Sequence, residues 1–230
     1  NERLRADMGS IESLAGASND KNRAAVVAFA ATTTFVLLLL VLHVVKSDCD
    51  PSWHFISEYA IGPYGWIMQA AFFTLACANL ALLVAIRRWL TGVGGGIGAL
   101  LFLIGTGGTF LAGVFAPDPV NTAPDAATTS GNLHNLGGAL GLAGFIGTLV
   151  LSAKLLRNRE WQPARRAVVL ATTLLVAGFL IAFVSIATIT ASHQGVFGPD
   201  TPVGWPNRMG ILSGCAWLAI ISYRAAKPQN

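Results

Sequence analysis

The chain's four histidines, His43, His54, His134 and His193, fall in or beside segments that also carry Asp48, Asp50, Glu58, Asp118, Asp125 and Asp200. Imidazole and carboxylate together are the groups from which both general acid–base catalysis and divalent-metal sites are built. Within His54-Phe-Ile-Ser57-Glu58, the three polar side chains stand at i, i+3 and i+4, so a helix would present them on one face. Asp118 lies between Pro117 and Pro119, which hold the backbone extended around it. Asn132 is placed to cap a helix with His134 in its first turn, where the helix dipole disfavours a charged ring and leaves a neutral imidazole free to accept a proton or bind a metal. An ordinary hydrogen-bonded histidine fits that position equally well. Arg208 follows Trp205-Pro206-Asn207 at a helix start, again the wrong end for a cation, so it calls for a carboxylate such as Glu58 or Asp118, or for a bound anion. The chemistry on offer is therefore an acid–base or metal site. Glu58, Asp118 and His134 are the acid–base candidates, and His54, Asp118, His134 and His193 the metal candidates. Arg208 would hold a phosphate or lipid headgroup, with Ser57 secondary. Zinc with an open position would suit nitrogen and carboxylate ligands. Cys49, Cys77 and Cys215 form no CxxC pair and support neither a disulfide framework nor a thiolate zinc site.

The elements that must position these groups are membrane spans. Of the 230 residues 53% are apolar and 11% charged, with a mean hydropathy of +0.59, against about a quarter charged in ordinary soluble domains. Six apolar runs, at about 24–45, 64–86, 93–115, 133–156, 167–190 and 206–223, are long enough to cross a bilayer as helices that satisfy their own backbone. The first run is too long for a signal-peptide core and is expected to remain as an anchor. This predicts an all-α, polytopic six-helix bundle, with a tail over 1–22, one transmembrane domain over 23–224 and a second tail over 225–230.

Thirteen Lys and Arg residues fall on one side of these runs and two, Lys46 and Arg208, on the other. The positive-inside rule then places both termini in the cytoplasm, and every histidine on the outer side. Basic residues that flank spans mark topology rather than a nucleic-acid surface. Asp50-Pro51 and Gly62-Pro63 bound a short helix in the first outer loop, expected over Pro51 to Ala60 and lying in the membrane interface. Gly92/Gly96, Gly94/Gly98 and Gly137/Gly141 have small-xxx-small spacing and predict close packing of the third and fourth spans. The middles of the spans hold Thr74, Asn79, Thr106, Thr109 and Ser185 but no Asp, Glu, Lys, Arg or His, which argues against ion-coupled transport and proton pumping. Asn79 reads as a helix-to-helix hydrogen bond.

The string His54-Phe-Ile-Ser57-Glu58-Tyr-Ala-Ile-Gly-Pro-Tyr-Gly65-Trp66-Ile-Met68, then Phe115-Ala-Pro-Asp118-Pro, Gly131-Asn-Leu-His134 and Asn207-Arg208, resembles the membrane family called domain of unknown function 998, from roughly Ala24 to Tyr223. The resemblance implies a helical membrane protein and brings no activity with it. A chemical analogy also exists to membrane hydrolases of the alkaline ceramidase and adiponectin-receptor type, but those have seven spans and an HxxxH pair that this chain lacks. A haem protein of the b561 type is disfavoured, because stacked haems need histidines at both faces. The expectation is an integral protein of a bacterial or archaeal cytoplasmic membrane. It would be a structural or assembly subunit, or a lipid- or pigment-binding one, in contact with membrane lipids and with protein partners in a larger complex. The alternative is a metal-dependent hydrolase acting on an outer-leaflet lipid.

Overall fold

The computed structural model describes residues 2–227, with side chains from residue 22 onward apart from that of Pro124. Six helices order the chain: α1 (Glu2–Val45), α2 (Gly65–Ile86), α3 (Gly92–Val114), α4 (Thr129–Arg157), α5 (Arg165–Ser192) and α6 (Gly204–Ala226). Each contains a stretch long and apolar enough to cross a membrane, and no strand occurs among the described residues. Leu, Val, Ile and Phe cover the outside of the bundle, Val93, Leu100 and Phe183 among them. Such a surface is stable only against hydrocarbon, so the chain is an integral membrane protein. The helix that begins the first span is continuous back to Glu2, through most of the tail expected over 1–22.

The helices form an almost complete ring in the order α4, α3, α2, α1, α6, α5, with α2 also touching α6 across the middle. Glycine decides how closely the α3 and α4 backbones approach. A Cβ on Gly105 would stand 2.4 Å from Gly144 Cα, one on Gly108 2.4 Å from Gly137 O, and one on Gly147 2.5 Å from Phe102 N. This is the predicted helix pair, and of the predicted glycines Gly137, against Gly108 O and Ala112 N, and Gly98, against Val150 and Leu151 of α4, lie in the contact. Gly92, Gly94, Gly96 and Gly141 have nothing within 4 Å of an added Cβ. A spacing of four marks a helix face without saying which of several glycine faces meets the neighbour. Packing of α5 on α6 uses the same device, Gly178 lying against Ser213.

α4 and α5 close the ring only loosely, with Phe145 stacked on Phe179 at 3.9 Å between ring centroids. The connections α1–α2, α3–α4 and α5–α6 gather at one end, which we call the cap; the opposite end carries Arg87, Arg88, Lys154, Arg157, Arg159, Arg165 and Arg166. At that basic end Trp89 and Trp161 meet edge to face at 5.1 Å, and Arg88 pairs with Glu160.

Candidate functional site: a polar cap above a lateral cleft

The cap is organised around Arg208 on the first turns of α6, which is 4% exposed. Its Nε donates to His43 Nε2 (3.0 Å), Nη1 to the carbonyls of His54 (2.8 Å) and Gly204 (3.1 Å), and Nη2 to the Tyr59 hydroxyl (3.0 Å). The expected carboxylate partner is not there: among the described residues the ion pairs are Lys46–Asp48 and Arg88–Glu160. Neutral acceptors do the work, because a guanidinium offers five donors in a fixed fork and loop carbonyls can meet them directly. This arrangement sets the state of His43. Its Nδ1 faces Leu39 O at 2.7 Å and must carry the proton, so Nε2 has the lone pair that accepts from Arg208 and the ring is neutral. Lys46, also 4% exposed, donates from Nζ to the carbonyls of Ile61 and Pro63. Both basic residues of this end are thus buried clamps on the first connection.

The expected α-helix over Pro51–Ala60 is absent. The chain makes turns from Lys46 to His54 and then a 3-10 helix over Ile56–Ala60, of which Ile56, Glu58, Tyr59 and Ala60 are buried. The segment is a plug rather than a raft on the surface. Its own backbone is used tertiarily: Ile56 N donates to Asn207 Oδ1 (3.1 Å), and Gly204, whose Cβ would lie 2.3 Å from Pro51 O, lets α6 start against the turn. His54 therefore does not share a helical face with Glu58. Its ring lies tilted against Trp53, with centroids 3.6 Å apart, and its Nδ1 is against Asp50 O.

Glu58, 4% exposed, accepts from Phe55 N at 2.8 Å and Val120 N at 2.9 Å, one backbone amide to each carboxylate oxygen, and so staples the first connection to the second. Asp118 accepts from Thr128 N and Thr128 Oγ1, both at 2.8 Å, while Thr128 Oγ1 accepts from Gly131 N. The α4 N-cap is thus Thr128, not Asn132, and the carboxylate of Asp118 sits where the helix dipole favours an anion. Gly131 is required there, since a Cβ would meet Asp118 Oδ2. His134, 7% exposed, directs Nδ1 at Ala112 O (3.2 Å) and Phe115 O (2.8 Å), so that nitrogen is protonated and satisfies carbonyls left open at the end of α3. His193 is exposed beyond the end of α5 and bonds to Ile189 O and Ser192.

Glu58, Asp118, His134 and Arg208 therefore occupy one cap but are joined in series through backbone, and no hydrogen bond or ion pair connects any two of them. Among the described residues no group of three or more His, Cys, Asp and Glu side chains is placed to hold a metal ion; His54, Asp118, His134 and His193 are each anchored separately. Burial pushes the Cys49 thiol up to about 11, helped by Glu58, and raises Tyr59 above the ordinary phenol value. Both stay protonated at neutral pH and neither is an activated nucleophile.

Beneath the cap lies a cleft of about 450 Å³ between α4 and α5, floored by α2, α3 and α6. Leu142 and Phe183 on its rim are 52% and 61% exposed, so it opens sideways, through the seam where the ring closes loosely. Gly138 and Gly141 form part of the α4 wall and have nothing within 4 Å of an added Cβ. Asn79, half-buried on α2, faces this space and makes no side-chain hydrogen bond to a described residue, in place of the helix-to-helix bond its sequence position suggested. The cleft escaped the sequence reading, although its signal is present: α4 carries glycines on two faces, Gly137-Gly144-Gly147 for packing and Gly138-Gly141 beside them.

The model of the family described as "Protein of unknown function (DUF998)" matches residues 29–224. None of the curated proteins and none of the solved structures compared with the chain matches it. The matched region takes in four spans whole and most of the first and last, both staples of the cap and every wall of the cleft, and the chain belongs to the DUF998 family.

Proposed function

We propose that this membrane protein is a lipid-binding subunit that takes an apolar bilayer component sideways between α4 and α5. The observation that carries the reading is the cleft itself. It falls within the usual range for small-molecule sites, roughly 300–1,000 Å³, and it is walled by glycine and phenylalanine and open at a rim that faces hydrocarbon. The cap supports the same reading from above. Arg208 ties the first connection to α6, Glu58 ties it to the second connection and Asp118 caps α4, which suits a lid between water and the cleft better than a hydrolytic centre. In the same reading the basic end faces the cytoplasm of a bacterial or archaeal cell, the cap faces outward, and the occupant is a membrane lipid.

The test is thermal unfolding of delipidated protein in detergent with a total membrane lipid extract added back. A ligand that binds the folded state alone stabilises it by mass action. Wild type should gain several degrees, whereas Gly138→Leu/Gly141→Leu, whose Cβ atoms meet nothing within 4 Å and whose side chains occupy the cleft wall, should gain little. Equal gains in both proteins would overturn the assignment.

A further inference from the structure

Resting on the lipid-binding reading, we infer that the occupant is electrically neutral, with a single chain-like apolar body and one hydrogen-bond-accepting oxygen (carbonyl, ester or hydroxyl) held by the amide of Asn207. The cleft contains no charged side chain. An anionic or cationic end would have to give up water with nothing to neutralise it, at a cost of several kcal/mol. The polar groups that do line it are mostly committed. Thr106, Thr109 and Thr148 donate their hydroxyl protons to Phe102 O, Gly105 O and Gly144 O, and Trp217 donates Nε1–H to Ser152 Oγ.

Two donors are left over. Asn207 must present Oδ1 to Ile56 N, which leaves its Nδ2 without a partner among the described residues, and the Asn79 amide has none. The Asn207 orientation is forced, since a backbone N–H needs an acceptor. Uncommitted donors in an apolar site select an acceptor. Asn207 stands directly under the cap, and the α6 wall of the cleft continues from there to Leu218, eleven residues or about 16 Å of helix, which sets the length of chain that can lie along it. The polar end therefore sits at Asn207 near the cap, and the tail runs toward Trp217 and Leu218, past Asn79, which lies fourteen residues or about 21 Å into α2.

The experiment uses the full chain in lipid nanodiscs with three photoreactive probes sharing one diazirine-bearing C16 tail: a methyl ester, the free carboxylate at pH 8, and the plain alkane. Labelled peptides are mapped by mass spectrometry. The ester should label the cleft walls of α4 and α5 at least about tenfold more than the carboxylate and several-fold more than the alkane. Asn207→Asp keeps the acceptor for Ile56 and removes the donor, and should bring the ester down to the alkane level, a several-fold change for one hydrogen bond in an apolar site. Equal labelling by carboxylate and ester, or an ester advantage that survives Asn207→Asp, would overturn this inference while alkane labelling of the cleft upheld the lipid-binding reading beneath it. Absence of cleft labelling by all three probes would overturn both.

Discussion

At the scale of single residues, the cap shows how an arginine can be buried at a helix N-terminus without an acid. Four neutral acceptors on three parts of the chain meet Arg208, and each would be left unsatisfied by its removal. Arg208→Met should lower stability by roughly 3 kcal/mol, measured by unfolding in detergent, and Arg208→Lys should recover little, because one ammonium cannot reproduce the fork. The buried Cys49 thiol gives a pH test. With its value raised from 9.0 to about 11, the thiol contributes stability that is complete below pH 9 and lost as pH rises toward 11. Cys49→Ser should flatten that alkaline loss, and native Cys49 should resist alkylation at pH 8. The sequence marked Glu58, Asp118, His134 and Arg208 as residues with a reason to be where they are, and they do share the cap. Their partners could not be read, because almost all are backbone groups: Val120 N, Thr128 N, Phe115 O and Gly204 O. Backbone amides and carbonyls carry no sequence signature. Residue types in a linear string therefore suggested a catalytic cluster where folding produced staples.

At the scale of elements, glycine has two uses on one helix. Gly105, Gly108, Gly137, Gly144 and Gly147 bring α3 and α4 into backbone contact, while Gly138 and Gly141 keep a wall thin. The two uses predict opposite signs for one substitution. Gly144→Ala places a Cβ 2.9 Å from Gly105 Cα and should cost about 1–3 kcal/mol as the helices separate. Gly141→Ala meets nothing and should stabilise the ligand-free protein by roughly 0.5–1 kcal/mol through helix propensity. Thermal unfolding of the pair in one detergent decides the matter. The six helices were legible from hydropathy to within a few residues at most ends, since a bilayer demands long uninterrupted apolar helices. The first connection was not. Asp50-Pro51 is a sound helix start, but the segment that follows is plugged into the bundle through Ile56 and Tyr59, and burial there favours a tight 3-10 turn with Glu58 folded back on Phe55 N. Local propensity lost to tertiary contact.

At the scale of the whole molecule, the six-helix ring is firm on five sides and loose on the sixth. The cap closes one end and the basic end carries the charges on which the proposed orientation rests. The proposed orientation predicts that Asp200→Cys, at an exposed cap position, reacts with a membrane-impermeant maleimide in intact cells. Thr91→Cys, exposed at the opposite end, should react only after permeabilisation. The reverse pattern would invert the protein and place the cap in the cytoplasm. Which helices leave a seam depends on the sum of all interhelical contacts, so the cleft could not be found from any one span.

Whether the seam holds a lipid is decided by native mass spectrometry of the protein released from its own membrane. Wild type should carry one tightly retained apolar molecule that survives collisional removal of loosely bound lipid, and Gly138→Leu/Gly141→Leu should fly without it at the same oligomeric state. Retention of the same adduct by both proteins, or by neither, would contradict the account.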